Sequence, residues 1–483
     1  MQGSHTEAPA PEVQAARPGA DRVSLGLLAL ALVLGLLRFW RLPDWSLWYD
    51  EAATWFDLQA GLSNPEMHNP LGYRAVGWVV QLCGGQPSEF SLRLLPAIAG
   101  WLVIPATWFA FRPFAGCARA SAAALLVAAS SWQLYWSQNA RFYTLAQLFA
   151  LLGGALLLRG LWRKRVLLLV LGSGLIGLAG LFHLSAVMLL PALALAPWLL
   201  APLELEELRG SQRMRVLLLV LLGAGVLLGF AWALRAFQNF ERHAPDFSTA
   251  HYLLTTGFYV TPLLGAGALI GVCAAWNRRS AFGLLVGVAV LLGLFAMLLC
   301  STRVVVSAQY VFVFLPWIAI LAAWPFEPPP SASPLERRLA LSWLVLLVLP
   351  ALASSALYFG ARSGERPQWR EAFELVWNQR EPDDLVLCME APVGEYYLGP
   401  SGADLQNPEH VAWLDRWRSQ RPREWAAHAR RAWYVFNTEQ LKGWDEPDAR
   451  EFERFLRERC RLVKCFPLSV ESRDLSVWVY LRG

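Results

Sequence analysis

The sequence predicts an α-helical polytopic membrane protein with about eleven transmembrane helices and a small soluble C-terminal α/β domain. Hydrophobic residues make up 56% of the 483 residues and charged residues only 16%, whereas typical soluble domains are about 25% charged. Apolar runs of roughly 18–20 residues recur, and that length crosses the hydrocarbon core of a bilayer as a helix. Residues 359–483 carry 40 of the 79 charged side chains. The chain therefore consists of a long apolar part followed by a polar tail.

Eleven apolar runs define the predicted spans. They lie near residues 24–41, 93–111, 119–137, 144–160, 165–183, 185–200, 216–234, 259–276, 281–300, 309–326 and 339–358. The stretch 1–23 has no periodicity and is predicted to be a disordered cytoplasmic arm. The region 24–358 is then the transmembrane domain. The first span is too long, and too cleanly flanked by Arg38 and Arg41, for a cleaved signal peptide.

The loop charges predict how the chain is oriented in an inner, cytoplasmic membrane. Arg and Lys are concentrated in the loops after the even-numbered spans, for example at Arg163, Lys164 and Arg165, and such loops face the cytoplasm. The N-terminus is then cytoplasmic, and an odd number of spans places residues 359–483 on the periplasmic or extracellular side. The net charge of +5 is scattered along the chain, which excludes a nucleic-acid partner.

The first outer loop, residues 42–92, contains the candidate catalytic acids. Asp50 and Glu51 are adjacent and are enclosed by five aromatic rings between Trp45 and Phe56, a composition typical of an interfacial helix. Neighbouring residues on a helix point about 100° apart, so the two carboxylates cannot face one cleft equally. The alternative is a pair of solvated loop acids.

Further polar residues are predicted at the outer boundary. His68 precedes an Asn-Pro helix start, which predicts a second surface helix over 71–83. Ser88 is predicted to cap the helix of the next span. The isolated cations Arg141 and Arg303 suit a phosphate, because a guanidinium binds it with two parallel hydrogen bonds. The alternative is that both side chains snorkel to the membrane surface.

Several motifs in order resemble the C-type (GT-C) integral-membrane glycosyltransferases, in particular bacterial relatives of protein mannosyltransferases and of lipid A aminoarabinose transferases. The motifs are Asp50-Glu51, His68-x-Pro70-Leu71-x-Tyr73, Ser91-Leu92-Arg93-Leu94-Leu95-Pro96, Ser137-Gln138-x-Ala140-Arg141-x-Tyr143, and, in the tail, Trp369-Arg370-Glu371-Ala372 with Pro382-Asp383-Asp384-Leu385-Val386-Leu387.

The resemblance implies a polyprenyl-phosphate sugar donor, an active site on the outer face and Asp50 as catalytic base with Glu51 as its neighbour. The donor phosphate is expected at Arg141, Tyr143 and Arg303. The expected substrate pocket comprises His68, Tyr73, Asn139, Gln309 and Tyr310. The partners are then this donor, an acceptor lipid, glycan or protein, and the bilayer.

No cofactor or metal is predicted. Family members often have Glu where this chain has Asn139, so one possible metal ligand is missing, and the seven Cys form no CxxC pair. A lipid-phosphate leaving group needs cations rather than a proton donor, and one carboxylate suffices as base for the acceptor. These features predict a metal-independent single displacement with inversion.

The tail is predicted to contain helices over 368–380, 423–431 and 447–460, and strands over 384–389, 432–437, 461–466 and 475–482. Its expected role is to cover the site or to help bind the acceptor, with purely structural packing as the alternative. Cys460 and Cys465 are two free thiols, or a pair in an oxidising compartment. Two other functions stay open for the whole chain, a lipid or polysaccharide transporter and a non-catalytic membrane scaffold.

Overall fold

The chain folds into a helical membrane domain followed by a small α/β domain. The computed structural model describes residues 18–59, 70–208, 212–242, 249–303, 306–326, 333–382, 384–398, 411–413, 431–442, 444, 446–470 and 473–483. Most of the predicted arm lies outside these residues, and the first helix begins at Pro18, before the predicted start of the first span.

The membrane domain contains fifteen α-helices within the described residues. They are α1 (Pro18–Gly35), α2 (Tyr49–Gln59), α3 (Pro70–Leu82), α4 (Glu89–Ala115), α5 (Cys117–Ala129), α6 (Ser131–Ser137), α7 (Tyr143–Arg163), α8 (Val166–Phe182), α9 (Leu189–Leu199), α10 (Gln212–Arg242), α11 (Thr249–Val260), α12 (Pro262–Asn277), α13 (Ala281–Cys300), α14 (Leu315–Ala322) and α15 (Pro334–Phe359). The predicted surface helices of the first outer loop correspond to α2 and α3. Ser88 caps α4 as expected, and the Ser91 hydroxyl oxygen accepts a hydrogen bond from the Ser88 backbone amide.

Six helical segments in the described part of the chain are long and apolar enough to cross a membrane. The pair α11 and α12 forms a seventh if counted as one span, although the two helices are bent by 84°. The bend is at Thr261, which has a φ of +64° and caps α12 with its side chain. Each of the eleven predicted spans overlaps a helix, but the number of membrane crossings stays a prediction.

The predicted third span is broken at Ser130 into α5 and α6. Such a break leaves backbone carbonyls without a partner inside a membrane protein, and they must be satisfied internally. Arg38, fully buried, donates to the carbonyls of Val127 and Ala128, both at 3.0 Å. Ser355 donates to the carbonyl of Ala129 at 3.1 Å. The break therefore ties the turn after α1, and α15, to the end of α5.

Close helix packing in the bundle depends on small residues, as is common in membrane proteins. A Cβ atom on Gly153 of α7 would lie 2.7 Å from the carbonyl oxygen of Gly172 on α8, and one on Gly172 would clash in return. The two backbones therefore approach directly at this point.

The C-terminal domain consists of four described helices, a five-stranded sheet and a small hairpin. The elements are α16 (Trp369–Gln379), β1 (Leu385–Cys388), α17 (Ala391–Leu398), β2 (Val411–Trp413), β3 (Ala432–Asn437), α18 (Thr438–Leu441), α19 (Glu446–Arg459), β4 (Arg461–Phe466), β5 (Ser469–Val470), β6 (Arg473–Asp474) and β7 (Val477–Arg482). The strand order is β2-β1-β3-β7-β4, with β1 parallel to β2 and β3 and with β7 antiparallel to β3 and β4. Strands β5 and β6 form the hairpin.

This arrangement matches most of the elements predicted for the tail. The predicted helix 423–431 lies almost wholly outside the described residues, whereas α17, β2 and the hairpin were not predicted. Cys460 and Cys465 are free thiols.

The C-terminal domain is docked on the first outer loop by polar contacts. Arg370 donates to Glu89 at 2.7 Å and to the carbonyl of Pro43 at 2.7 Å. The Tyr397 hydroxyl accepts a hydrogen bond from the Leu47 amide at 2.6 Å. The domain is therefore part of the surroundings of Asp50 and Glu51.

The predicted orientation can be tested by cysteine labelling from the outer side of the membrane. In a variant without the native Cys residues, Glu453→Cys on α19 should react with a membrane-impermeant maleimide in intact spheroplasts, because the tail is expected outside. Arg163→Cys, at the end of α7, should react only after lysis; both positions are exposed in the structure. Labelling of position 163 in intact spheroplasts would contradict the orientation.

Candidate active site

Glu51 is fully buried and accepts four short hydrogen bonds. Its Oε1 accepts from Arg93 Nε at 2.7 Å and from the Ala140 amide at 2.8 Å. Its Oε2 accepts from Arg93 Nη2 at 2.7 Å and from Arg366 Nε at 3.0 Å. Both oxygens are thus occupied, and the carboxylate has no access to a cleft.

Glu51, Arg93 and Arg366 form a buried ion triad. The remaining hydrogen bonds of the two guanidinium groups go mainly to backbone carbonyls. Arg93 donates to the carbonyls of Leu42, Trp45 and Ser46. Arg366 donates to the carbonyls of Gln138 and Gly364, and lies 4.8 Å from the centre of the Tyr135 ring. The triad therefore joins the first outer loop, α4, the second outer loop and the start of the C-terminal domain.

The charge state of Glu51 follows from the triad. Burial alone would favour the neutral acid, but the positive charges of Arg93 and Arg366 outweigh it and lower the pKa of Glu51 to about 2. A carboxylate that is ionised at all ordinary pH values and has no free lone pair is a poor proton acceptor. We therefore regard Glu51 as a positioning residue for α2.

Asp50 lies on another side of the same helix and is accessible. Its side chain is 30% exposed, and Oδ2 lies 4.0 Å from Arg141 Nε. At this distance the two groups form an ion pair but no hydrogen bond. Of the two predicted acids, only Asp50 combines exposure with a cationic neighbour.

Arg141 is held in place through one nitrogen of its guanidinium group, Nη1. Its Nη1 lies 3.3 Å from the Tyr73 hydroxyl and 3.4 Å from both Thr54 Oγ1 and the Asp50 carbonyl. Burial opposes the charge, but the Asp50 carboxylate outweighs this and raises the pKa of Arg141. No hydrogen bond from Nη2 to another described residue is recorded, and Nη2 is not among the buried unpartnered atoms.

Tyrosine and histidine rings lie beyond Arg141. The Tyr143 and His183 rings are tilted against each other with centres 4.3 Å apart, and His183 stacks on Tyr310 with ring centres 5.5 Å apart. Gln309 lies beside the Tyr143 side chain, and Asp50 lies within electrostatic range of both Tyr143 and Tyr310. The structure thus brings together Asp50, Arg141 and four of the other predicted pocket and phosphate residues, which are Tyr73, Tyr143, Gln309 and Tyr310.

His183 was missed by the sequence analysis. It ends α8 and lies next to the 3-10 turn Leu184–Met188, where its Nδ1 lies 2.8 Å from Ser185 Oγ. Its position at the outer end of the predicted fifth span, on the side that carries Arg141, was the available signal. A single His at a membrane boundary is weak evidence without the three-dimensional neighbours.

Three predicted site residues are not brought into this cluster. His68 lies outside the described residues. Arg303 is exposed in a turn after α13, and the structure records no hydrogen bond or ion pair of its side chain with the described residues. Asn139 is buried, its carbonyl accepts from the Arg141 amide at 2.7 Å, and both atoms of its side-chain amide lack a partner in the described part of the chain.

Within the described residues no group of three or more His, Cys, Asp or Glu side chains is placed to hold a metal ion. The independence of a metal stays a prediction.

Replacing Glu51 should destabilise the protein strongly. Glu51→Gln leaves the buried Arg93 and Arg366 without a counter-ion, and breaking a buried ion pair in this way costs about 3–5 kcal/mol. Thermal unfolding of the purified protein should therefore occur at a clearly lower temperature. Asp50→Asn is the matched control on the same helix and should unfold close to the wild type. Equal unfolding temperatures for the two variants would contradict the role assigned to the triad.

The comparisons with known proteins concern the fold. No family model matches the sequence, and no curated protein matches it. The archaeal oligosaccharyltransferase AglB from Archaeoglobus fulgidus, solved with an inhibitory peptide and a dolichol-phosphate, is similar with a TM-score of 0.59 and 12% identity over 92% of this chain and 73% of its own. ArnT from Cupriavidus metallidurans gives a TM-score of 0.55 and 16% identity in the apo state over 96% of this chain and 98% of its own, and 0.53 and 15% with undecaprenyl phosphate over the same shares. The chain therefore has the fold of the GT-C membrane glycosyltransferases.

Proposed function

We propose that the protein is a membrane glycosyltransferase that moves a sugar from a polyprenyl-phosphate donor to a hydroxyl or similar group of an acceptor at the outer membrane face. The observation that carries the proposal is the pair of Asp50 and Arg141, an accessible carboxylate beside a cation at a membrane boundary. Structures of the same fold have been solved with a dolichol-phosphate and with undecaprenyl phosphate, which supports a lipid-phosphate ligand here.

Asp50 is assigned the role of base. As the acceptor hydroxyl attacks the anomeric carbon, its proton passes to a carboxylate oxygen of Asp50, and the bond from the sugar to the lipid phosphate breaks. A second carboxylate nucleophile would be needed for a double displacement. Glu51 cannot serve, because all its lone pairs face Arg93, Arg366 and Ala140. A single displacement with inversion follows.

Arg141 is assigned the donor phosphate. The departing phosphate gains negative charge, which a fixed cation stabilises in the transition state. One edge of the Arg141 guanidinium is held by Tyr73 and Thr54, which leaves Nη2 for a phosphate oxygen. Tyr143 adjoins it as a second contact, so the charge is met without a metal. A role of Arg303 in binding the phosphate stays a prediction, because its side chain is exposed and makes no contact with Arg141 in the described structure.

The remaining pocket residues are proposed to contact the sugar. Tyr73, Gln309 and Tyr310 line the same cluster as Arg141 and Tyr143. The lipid chain of the donor would lie among the apolar helices, whose outward faces expose large hydrophobic side chains such as Leu254 and Leu269.

The role of Asp50 can be tested by Asp50→Asn. The substitution keeps the shape and removes the proton acceptor, so turnover should fall at least ~10²-fold, while donor binding is retained. Mass spectrometry of lipid-linked sugars in cells that carry the variant should show the donor accumulating and the product missing. Asp44→Asn is the control, because Asp44 forms only an exposed pair with Arg41 in the same loop. Normal product formation with Asp50→Asn would remove the main support for the enzyme.

The role of Arg141 can be tested by Arg141→Lys. Lysine keeps the positive charge but loses the planar fork. Its single nitrogen cannot take the place of both Nη1, which contacts Tyr73, and Nη2, which is assigned to the phosphate. We expect donor binding to weaken by about tenfold or more, measured as the rise in KM for the lipid donor, with an unchanged unfolding temperature. An unaltered KM for the donor would leave Arg141 as a residue that only orients Asp50.

A further inference from the structure

The strand order of the C-terminal sheet reverses at the carboxyl ends of β1 and β3. The chain leaves β1, passes through α17 and returns as β2 on one side of β1, whereas β3 lies parallel on the other side. In α/β sheets, such a reversal of strand order opens a crevice outside the carboxyl ends of the two strands, where ligands bind.

Three polar side chains surround this crevice. The register pairs Cys388 with Val435, so Glu390 and Asn437, each two residues further on, lie level with one another. Gln440 of α18 donates a hydrogen bond from Nε2 to Glu390 Oε1.

Each of the three side chains keeps one buried atom without a partner in the part of the chain that is described. These atoms are Glu390 Oε2, Gln440 Oε1 and Asn437 Nδ2. Glu390 is 6% exposed and Asn437 is 2% exposed. Leaving such groups unsatisfied costs about 1–3 kcal/mol each, so three at one crevice indicate that a ligand completes their hydrogen bonds.

The crevice adjoins the candidate active site. The helix α17, which follows Glu390 directly, packs on α2 through Tyr396 and Trp55, whose ring centres are 5.3 Å apart. Asp50 lies within electrostatic range of Glu390, and Tyr49, a 39% exposed residue of α2, lies within range of both acids.

Burial, assisted by the negative charge of Asp50, raises the pKa of Glu390 to about 8. The carboxyl group is therefore largely protonated at pH 7, and it can donate a hydrogen bond from one oxygen while the other accepts from Gln440.

We propose that the crevice formed by Glu390, Asn437 and Gln440, with the ring of Tyr49 at its edge, binds the hydroxyl groups of a neutral carbohydrate acceptor and presents it to Asp50. The inference rests on the proposed function, since it assumes that Asp50 is the base. Among the described residues, the three side chains of the crevice offer donors and acceptors but no cation, which suits neutral hydroxyls and not a phosphate. An exposed aromatic ring beside a few placed polar groups is a usual composition for such a site.

The test is binding of the purified full-length protein in detergent micelles to an array of immobilised neutral oligosaccharides, phosphorylated oligosaccharides and serine-rich peptides. The wild type should bind neutral oligosaccharides. Glu390→Ala and Gln440→Ala should each weaken binding at least about tenfold, which corresponds to 1.4 kcal/mol. Glu390→Gln, which keeps a neutral donor and acceptor, should retain it. Glu453→Gln, an exposed acid of α19, is the control.

Several outcomes would overturn the proposal. They are binding of Glu390→Ala and Gln440→Ala at the wild-type level, preference for peptides or phosphorylated glycans, and absence of neutral-glycan binding. Unfolding temperatures identify a variant that has failed to fold, and the other variant then decides. Asp50→Asn separates this proposal from the proposed function, because it should abolish sugar transfer while leaving glycan binding intact.

Discussion

The arrangement of the residues around Asp50 depends on one buried ion triad. Glu51 carries one negative charge and Arg93 and Arg366 carry two positive charges, all nearly without contact with water. Removing such groups from water is costly, and the cost is offset only where geometry and additional hydrogen bonds are good. The surrounding carbonyls of Leu42, Ser46, Gln138 and Gly364 supply those bonds. Because these acceptors come from three separate segments, each segment must be in place for the triad to form.

The triad also decides which of two adjacent acids can do chemistry. The helical step between Asp50 and Glu51 predicts from sequence that they face different directions, and it cannot say which one faces the cleft. That choice depends on Arg366, which is more than 300 residues away in the chain and lies between the last predicted span and the first helix of the tail. No periodic pattern or local motif marks it. Its role follows only from the docking of the C-terminal domain on the first outer loop.

Sequence patterns predicted those parts of the fold that are set by local physics. Apolar runs located helices, the Ser88 cap located the start of α4, and strand-like stretches located β1, β3, β4 and β7. Two features escaped. The break at Ser130 leaves the apolar pattern of the third span unchanged, because its freed carbonyls are satisfied by distant side chains. His183 joined the site through ring contacts with Tyr143 and Tyr310, which belong to other helices. Convergence of this kind is not encoded in spacing along one segment.

The contrast between the two acids extends to how tightly each is held. The Glu51 carboxylate lies 2.7 Å from each of two donor atoms of Arg93, whereas the Asp50 carboxylate lies 4.0 Å from Arg141 Nε. A proton acceptor needs a lone pair that no hydrogen bond occupies, and a phosphate-binding cation needs a donor that no internal acceptor occupies. The looser pair satisfies both conditions at once, since Asp50 keeps a free oxygen and Arg141 keeps Nη2. The rigid triad on one side of α2 thus makes a loose pair on its other side possible, because the helix does not depend on Asp50 to stay in place.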